Sequence, residues 1–195
     1  MNNPSRRRST RIPGYDYAGP GMYFVTICTR VREGILGEVV GQQVLLSPEG
    51  RIAAEYWRDI PRHFPGVELD EWIVMPNHVH GIIVIEGRGE AFGEVVTRSD
   101  GSSPPNASPL HIPRPHGTAK GSVGAVVQNY KSVSSRWINR VRGAGGRSVW
   151  QRNYYEHVIR GDDDLARIRT YITENPLRWE LDEENPRRRE ATKTT

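Results

Sequence analysis

The stretch from residue 72 to residue 85 reads as two apolar strands joined by a tight corner at Pro76, and it constrains the fold more than any other segment. Pro76 has no amide hydrogen, so it ends the first strand. Side chains alternate along a strand, so His78 and His80 in the second strand lie on one face. Two imidazoles roughly 7 Å apart along the chain can bind one metal ion. The alternative is a pair of ordinary histidines at a sheet edge, because histidine is often partly buried without a ligand role.

The residues before this stretch predict a strand, a hairpin and a helix. Residues 22–30 are rich in β-branched and aromatic side chains, which is typical of a strand. Residues 35–46 contain two apolar halves separated by Gly41, which predicts a small hairpin. Ser47 and Pro48 are the residue types preferred at a helix start, and Pro61 marks the expected end of that helix.

The residues after this stretch predict an insertion, a long helix, a strand and a final helix. Gly, Ser, Pro and Asn dominate residues 87–121, which indicates a disordered insertion inside the domain and gives its histidines no expected ligand role. Residues 122–141 carry an apolar stripe at helical spacing that includes Trp137 and Val141. A strand is expected near the end of residues 149–160. The last helix begins with acidic residues at 162–164 and ends at Pro176.

The order of these elements predicts an α+β fold. Without the hairpin and the last helix the order is βαββαβ, which is the ferredoxin-like or RRM-like arrangement of an antiparallel sheet with helices on one face. The added parts are a hairpin and a C-terminal helix. In this arrangement the first and third strands are central, so the two histidines would lie in mid-sheet. The predicted organisation is a basic flexible arm (1–20), one domain (21–180) and a charged flexible tail (181–195).

The charge distribution favours a polyanionic partner. The net charge is only +4, but residues 118–160 hold eight Lys and Arg against one Glu, and residues 1–12 hold four Arg and no acid. Such local excess suits nucleic acid, although a solvated basic face is the alternative. The candidate DNA contacts are Lys131, Arg136, Arg140, Arg152, Arg6, Arg7 and Arg8.

The cellular compartment is predicted from what the sequence lacks. Cys28 is the only cysteine, so no intrachain disulfide can form. The sequence shows neither a signal peptide nor a membrane-spanning apolar run. We therefore expect a protein of the reducing cytoplasm.

The last helix supplies a candidate nucleophile and a candidate third ligand. Tyr171 and Asn175 are four residues apart and therefore share a helix face. If that face lies over the histidines, the Asn175 amide oxygen can bind the same ion, a ligand set that suits Mg²⁺ or Mn²⁺ better than a closed zinc site. A phenol of pKa about 10 needs a nearby cation to become a good nucleophile. The alternative is a half-buried helix tyrosine, and Tyr154 and Tyr155 are rival nucleophiles.

Four motifs in register resemble the REP-associated tyrosine transposases, which belong to the single-tyrosine, His-hydrophobic-His transposase superfamily. The motifs are Tyr23–Thr29, Met75–Gly81, Trp150–Arg160 and Tyr171–Trp179. The resemblance implies a ferredoxin-like fold. It also implies metal-dependent cleavage and rejoining of single-stranded DNA at palindromic repeat hairpins, through a covalent 5′-phosphotyrosine.

The resemblance also assigns site residues by position. It makes His78 and His80 the paired metal ligands, Tyr171 the nucleophile and Asn175 the third ligand. His157 lies at a recurrent family position, where it can contact DNA or close a core hydrogen bond. Related transposases include monomers and homodimers, so both states are open.

Two other functions are compatible with the sequence. One is a non-catalytic regulator that binds hairpin DNA or RNA on the same fold. The other is a metal-dependent hydrolase of small phosphates, which would use water as its nucleophile and would not need Tyr171.

Overall fold

The computed structural model describes residues 19–86, 121–182 and 184–186. Its strands are β1 (Gly21–Cys28), β2 (Gly37–Val40), β3 (Gln43–Leu46), β4 (Val67–Met75), β5 (His78–Ile85) and β6 (Tyr155–Ile159). Its helices are α1 (Pro48–Arg58), α2 (Ile60–His63), α3 (Val123–Val141) and α4 (Asp162–Glu174), and a 3-10 segment (Asn175–Leu181) follows α4. Residues 1–18, which include Arg6, Arg7 and Arg8, and residues 87–120, which form nearly all of the predicted insertion, lie outside the described residues.

The main sheet confirms the predicted fold class. Its strand order is β4-β5-β1-β6, and all three neighbouring pairs are antiparallel. The central strands are therefore β1 and β5, as the ferredoxin-like arrangement requires. The predicted hairpin is also confirmed, because β2 and β3 pair as a separate two-stranded sheet.

The two faces of the sheet are covered by different helices. Along β1, Tyr23, Val25 and Ile27 join the cluster that contains the buried residues of α1 and α3. Phe24 points the other way, into a smaller cluster with three buried residues of α4. Because β5 alternates in the same manner, the even-numbered His78 and His80 lie on the face that α4 covers.

The helices begin where the sequence predicts, but the effect of Pro61 and the exposure of Trp137 differ from the prediction. The Ser47 hydroxyl accepts a hydrogen bond of 3.0 Å from the amide of Gly50, which caps α1 as predicted. Helical structure continues past Pro61, because proline fits the first turn of the short helix α2. Trp137 belongs to the predicted apolar stripe of α3, but it is 41% exposed. The buried face of the last turns instead passes through Ser134 and Ile138, which are four residues apart.

Gly81 follows the paired histidines and allows Trp57 of α1 to pack directly on β5. A Cβ built on Gly81 would lie 2.3 Å from a carbon of the buried Trp57 ring. We therefore expect Gly81→Ala to lower the free energy of unfolding by about 3 kcal/mol, as overpacked cores do. Thermal denaturation measures this change, with Gly145→Ala as control, because a Cβ at Gly145 meets nothing within 4 Å. Equal melting temperatures for the two variants would contradict the packing argument.

Candidate active site

The paired histidines are buried together beneath α4. His78 is 0% exposed and His80 is 2% exposed, and their ring centroids lie 4.2 Å apart. The Tyr171 hydroxyl lies 3.3 Å from Nε2 of His80. The structure therefore brings together the two imidazoles and the phenol that the sequence proposed to meet.

The hydrogen bonds of Asn77 determine which nitrogen of His78 carries the proton. The Asn77 amide nitrogen donates to the carbonyl oxygens of Arg32 (3.0 Å) and Glu184 (2.7 Å). Its Oδ1 therefore faces Nδ1 of His78, at 2.8 Å, and can only accept. Nδ1 of His78 must carry the proton, which leaves the lone pair on Nε2. This Nε2 atom is buried and has no hydrogen-bond partner among the described residues, so it is available to a metal ion.

The second histidine is oriented by two residues of β1. The Thr26 hydroxyl lies 2.9 Å from Nδ1 of His80, and Thr26 is paired with His80 in the strand register. The Phe24 ring stacks on the His80 ring, with centroids 5.4 Å apart. Phe24 also meets the Tyr171 ring edge-on at 5.9 Å. Phe24 therefore fixes the imidazole and the phenol relative to each other.

Both imidazoles are neutral at pH 7. Burial, and then the charge of Arg32, lower the pKa of His78 to about 3. Burial and the neighbouring His78 lower the pKa of His80 well below its usual value, with Asp182 acting in the opposite direction. Neutral imidazoles keep their lone pairs, which is the form that binds a metal ion.

The Asp182 carboxylate joins this cluster, and Asn175, the third ligand that the sequence predicted, is hydrogen-bonded to Asp182. Asn175 is 2% exposed, and its Oδ1 atom is buried with no hydrogen-bond partner among the described residues. The Asp182 carboxylate lies close enough that its ligand atom and those of the two histidines are all within 4.8 Å of one another. The amide nitrogen of Asn175 donates to Asp182 Oδ2 at 3.3 Å. Two imidazoles, one amide and one carboxylate form a donor set that fits a divalent cation.

Asp182 lies in the segment that was predicted to be a flexible tail, and contacts of the residues that follow it hold it beside the histidines. Glu184 forms an ion pair with Arg32. The carbonyl oxygen of Glu184 also accepts the hydrogen bond from Asn77 described above. Asn185 is 5% exposed, and its amide donates to the carbonyl oxygen of Trp179 at 2.9 Å. These contacts tie the chain beyond the 3-10 segment to the end of the sheet that carries His78.

Helix α4 is fastened to both edge strands of the sheet. On β4, the Asp70 carboxylate accepts two hydrogen bonds from Arg169, at 2.8 Å and 2.5 Å. This bond lowers the pKa of Asp70. On β6, His157 Nε2 lies 2.8 Å from Asp164 Oδ2, near the start of α4. His157 therefore makes a side-chain contact within the fold, one of the two roles the sequence left open.

A β-bulge places Asp70 where it can reach α4. Leu69 pairs with Ile83 and Trp72 pairs with Gly81, so β4 holds one extra residue between these two pairs. The extra residue reverses which face the following side chains occupy. Leu69 and Trp72 consequently both pack on the α1 and α3 side, and the bulge between them contains Asp70.

The Asp70–Arg169 pair should position Tyr171, which lies two residues after Arg169. The motif resemblance makes Tyr171 a nucleophile that attaches to DNA, and on that expectation Asp70→Arg or Arg169→Asp should slow the attachment by about 10- to 100-fold, because small misplacements of reacting groups have effects of this size. The exchanged pair in one protein should recover most of the rate. Exchanging Asp59 and Arg62, an exposed ion pair elsewhere, is the control. Single variants that react at the normal rate would contradict the positioning role.

The rival tyrosines have other contacts. The Tyr154 ring lies beneath the Lys131 ammonium group, 5.2 Å from ring centroid to nitrogen. Tyr155 meets the Phe24 ring edge-on at 6.2 Å and is 46% exposed. Tyr171, by contrast, has its hydroxyl at hydrogen-bonding distance from His80, so among these three tyrosines it is the candidate nucleophile that contacts the paired histidines.

The predicted DNA contacts fall into two groups. The Lys131 ammonium donates to the carbonyl oxygens of Gln151 (3.0 Å) and Asn153 (3.1 Å), and burial lowers its pKa to about 8. These bonds hold the loop before β6. Arg136, Arg140 and Arg152 are exposed, so they remain candidates for contact with phosphate.

Sequence reasoning missed several residues of the site, and their signals differ in strength. Asn77 immediately precedes the histidines in the Met75–Gly81 motif and could have been singled out. Thr26 becomes visible only through the register of β1 against β5. Asp182 gives no local signal, because it lies in a charged stretch without periodicity.

The chain is similar in sequence to a curated protein and similar in fold to a solved structure. No protein-family model matches the chain. The chain is 35% identical over 179 residues to an uncharacterized protein of Haemophilus influenzae, and this match covers 91% of the chain and 92% of that protein. A solved structure of a REP-associated tyrosine transposase bound to a REP hairpin has a TM-score of 0.52 and 18% sequence identity to this chain. That match covers 87% of the chain and 73% of the transposase.

Among the described residues, no helix is both long enough and apolar enough to cross a membrane.

The shared fold agrees with the resemblance carried by the four sequence motifs. The chain therefore belongs to the same family as the Haemophilus influenzae protein, and it has the fold of the REP-associated tyrosine transposases.

Proposed function

We propose that the protein is a metal-dependent DNA endonuclease and strand transferase that acts on single-stranded DNA at palindromic repeat hairpins. The observation that carries this proposal is the Tyr171 hydroxyl, which lies 3.3 Å from Nε2 of His80, beside the cluster of His78, His80 and Asp182. The solved transposase with the same fold is bound to a REP hairpin, which supports this class of substrate.

The donor set fits a divalent cation such as Mg²⁺ or Mn²⁺. Two buried atoms without hydrogen-bond partners among the described residues, Nε2 of His78 and Oδ1 of Asn175, are the atoms a cation would satisfy. His80 and Asp182 would complete its ligands. When bound, the cation supplies charge that stabilises a phosphate and favours ionisation of a nearby phenol. The sequence proposed His78, His80 and Asn175 as ligands, and Asp182 adds a negative charge to that set.

The proposed reaction is a transfer between two phosphate esters. The Tyr171 oxygen forms a bond to phosphorus while the bond between phosphorus and the 3′ oxygen breaks. The phenol proton passes to solvent, which reaches this residue because it is 41% exposed, and the departing 3′ oxygen takes up a proton. The product is a 5′-phosphotyrosine, and attack by a 3′ hydroxyl reverses the reaction. One phosphate ester replaces another, so no external energy source is needed.

The second candidate function is a non-catalytic regulator that binds hairpin DNA or RNA. The exposed basic side chains of α3 favour binding in either case. The two candidates differ in chemistry, because a regulator has no need for a phenol placed beside a set of metal-binding side chains.

The test is formation of a covalent protein–DNA adduct. Purified protein is incubated with single-stranded DNA that carries a palindromic repeat hairpin, with Mn²⁺ or with EDTA. We expect a band that survives denaturing electrophoresis and requires Mn²⁺. Tight binding without any adduct would favour the regulator.

A further inference from the structure

The C-terminal end of α3 carries an exposed tryptophan among arginines. Trp137 is 41% exposed and Val141 is 54% exposed, although their spacing in the sequence predicts that both are buried. The Arg140 guanidinium lies 5.2 Å from the centroid of the Trp137 ring. The exposed indole offers an aromatic face to a partner, and tryptophan is enriched at binding interfaces.

An open groove lies beside this tryptophan. Arg136, Asn139 and Arg140 of α3 line it, together with Gly143, Gly145 and Gly146 of the loop that follows. Cβ atoms built on the three glycines of this loop would meet nothing within 4 Å. The bare backbone of the loop is therefore accessible to a ligand that enters the groove.

The chain segment that forms the groove carries positive charges and no negative ones. Residues 121–155 contain six Lys and Arg and no Asp or Glu. Acidic groups approach from two other elements. Glu33 lies 4.0 Å from Arg142. Burial, and the nearby carboxylates of Glu55 and Asp59 at the end of α1, raise the pKa of Tyr56, whereas Arg136 lowers it. The net excess of arginine still favours a polyanion.

We infer that this groove binds single-stranded DNA, with phosphates on Arg136 and Arg140 and an unpaired base stacked on Trp137. Arginines that follow the backbone and an exposed aromatic ring that takes a base are the two components of sequence-tolerant single-strand binding. A paired duplex hides its base faces and cannot use the tryptophan. The groove is therefore selective for unpaired DNA.

The groove and the histidine cluster lie on opposite faces of the sheet but near the same end. Loop residues 29–34 connect them. The backbone amide of Arg30 donates to the carbonyl oxygen of Val149 (2.7 Å), and the side-chain amide of Asn77 donates to the carbonyl oxygen of Arg32. DNA held in the groove can therefore pass around this end of the sheet to Tyr171. This route rests on the proposed function, whereas binding in the groove does not.

The test measures binding without cleavage, in the Tyr171→Phe background. Fluorescence anisotropy compares a labelled 20-nucleotide oligothymidylate with a blunt 20-base-pair duplex. We expect Trp137→Ala to weaken binding of the single strand by about 5- to 100-fold, the range of one lost base stack, and to leave duplex binding within two-fold. Trp137→Phe should retain most of the affinity. Arg140→Gln should weaken binding of both probes and reduce its salt dependence.

Two controls separate the groove from general effects. Arg62→Gln removes an 80% exposed arginine elsewhere and should change binding less than Arg140→Gln does. Thermal denaturation should show Trp137→Ala folded like the parent protein. The inference is overturned if Trp137→Ala binds the single strand normally, or loses both probes equally. Adduct formation by the protein with Tyr171 intact decides the proposed function separately, because binding to oligothymidylate does not depend on it.

Discussion

Tyr171→Phe is expected to abolish the covalent protein–DNA adduct, with a loss of at least about 10³-fold, comparable to removal of nucleophiles in other enzymes. The substitution removes one oxygen and keeps the ring, so the edge-on contact with Phe24 at 5.9 Å is retained. Binding of single-stranded DNA should therefore change less than two-fold. Quantitative denaturing electrophoresis of the adduct, run beside anisotropy with the same DNA, measures both effects.

Tyr155→Phe is the matched control for this substitution. Tyr155 is exposed to a similar degree and also contacts the Phe24 ring, at 6.2 Å. It should form the adduct at the normal rate. If Tyr171→Phe still forms the adduct and Tyr155→Phe does not, the nucleophile is assigned to the wrong residue.

His78→Ala is expected to weaken Mn²⁺ binding by at least about 100-fold, because it removes the imidazole whose Nε2 lone pair has no other partner among the described residues. Titration followed by electron paramagnetic resonance measures free Mn²⁺ directly, and it does not depend on activity. His78 is fully buried, so Asp182→Asn provides a second variant that disturbs the fold less. We expect that variant to lose about 10-fold in affinity, since it keeps an oxygen donor and removes the negative charge.

His157→Gln is the control for metal binding. This histidine contacts Asp164 and stands apart from the cluster of His78, His80 and Asp182, so its loss should leave Mn²⁺ affinity unchanged. Stabilisation by Mn²⁺ in thermal denaturation should follow the same order, because a ligand that binds only the folded state raises its stability. A protein that binds Mn²⁺ equally well with and without His78 would exclude this cluster as the cation site.

Features set by local chemistry were predictable from the sequence. The period of two along β5 is enough to place His78 and His80 on one face, and Ser47 marks the start of α1 through its side-chain cap. Tyr171 and Asn175 share a helix face for the same kind of reason, since the helical period is fixed by the backbone. The sheet order followed from the sequence of elements.

Features set by distant contacts were not predictable. The extra residue in β4 cannot be seen without its pairing to β5, so the contact of Asp70 with Arg169 was missed. Lys131 is predicted to contact DNA, and its hydrogen bonds to carbonyl oxygens twenty or more residues away could not be seen in the sequence. Trp137 followed the apolar period and is still exposed, because the buried face of α3 shifts to Ser134 and Ile138. Periodicity predicts which residues form an apolar stripe on a helix, but it does not show which of them other elements of the fold will bury.

The dependence of the cation cluster on Asp182 has a consequence during synthesis. The chain emerges from the ribosome from its N-terminus, so both imidazoles are translated about a hundred positions before their carboxylate partner. A nascent polypeptide can pair β1 with β5 early and still lack the helix with its phenol and the acid that follows. A nuclease of the proposed kind, which could cut the genome of its own cell, would therefore lack its complete cation cluster until Asp182 has been translated.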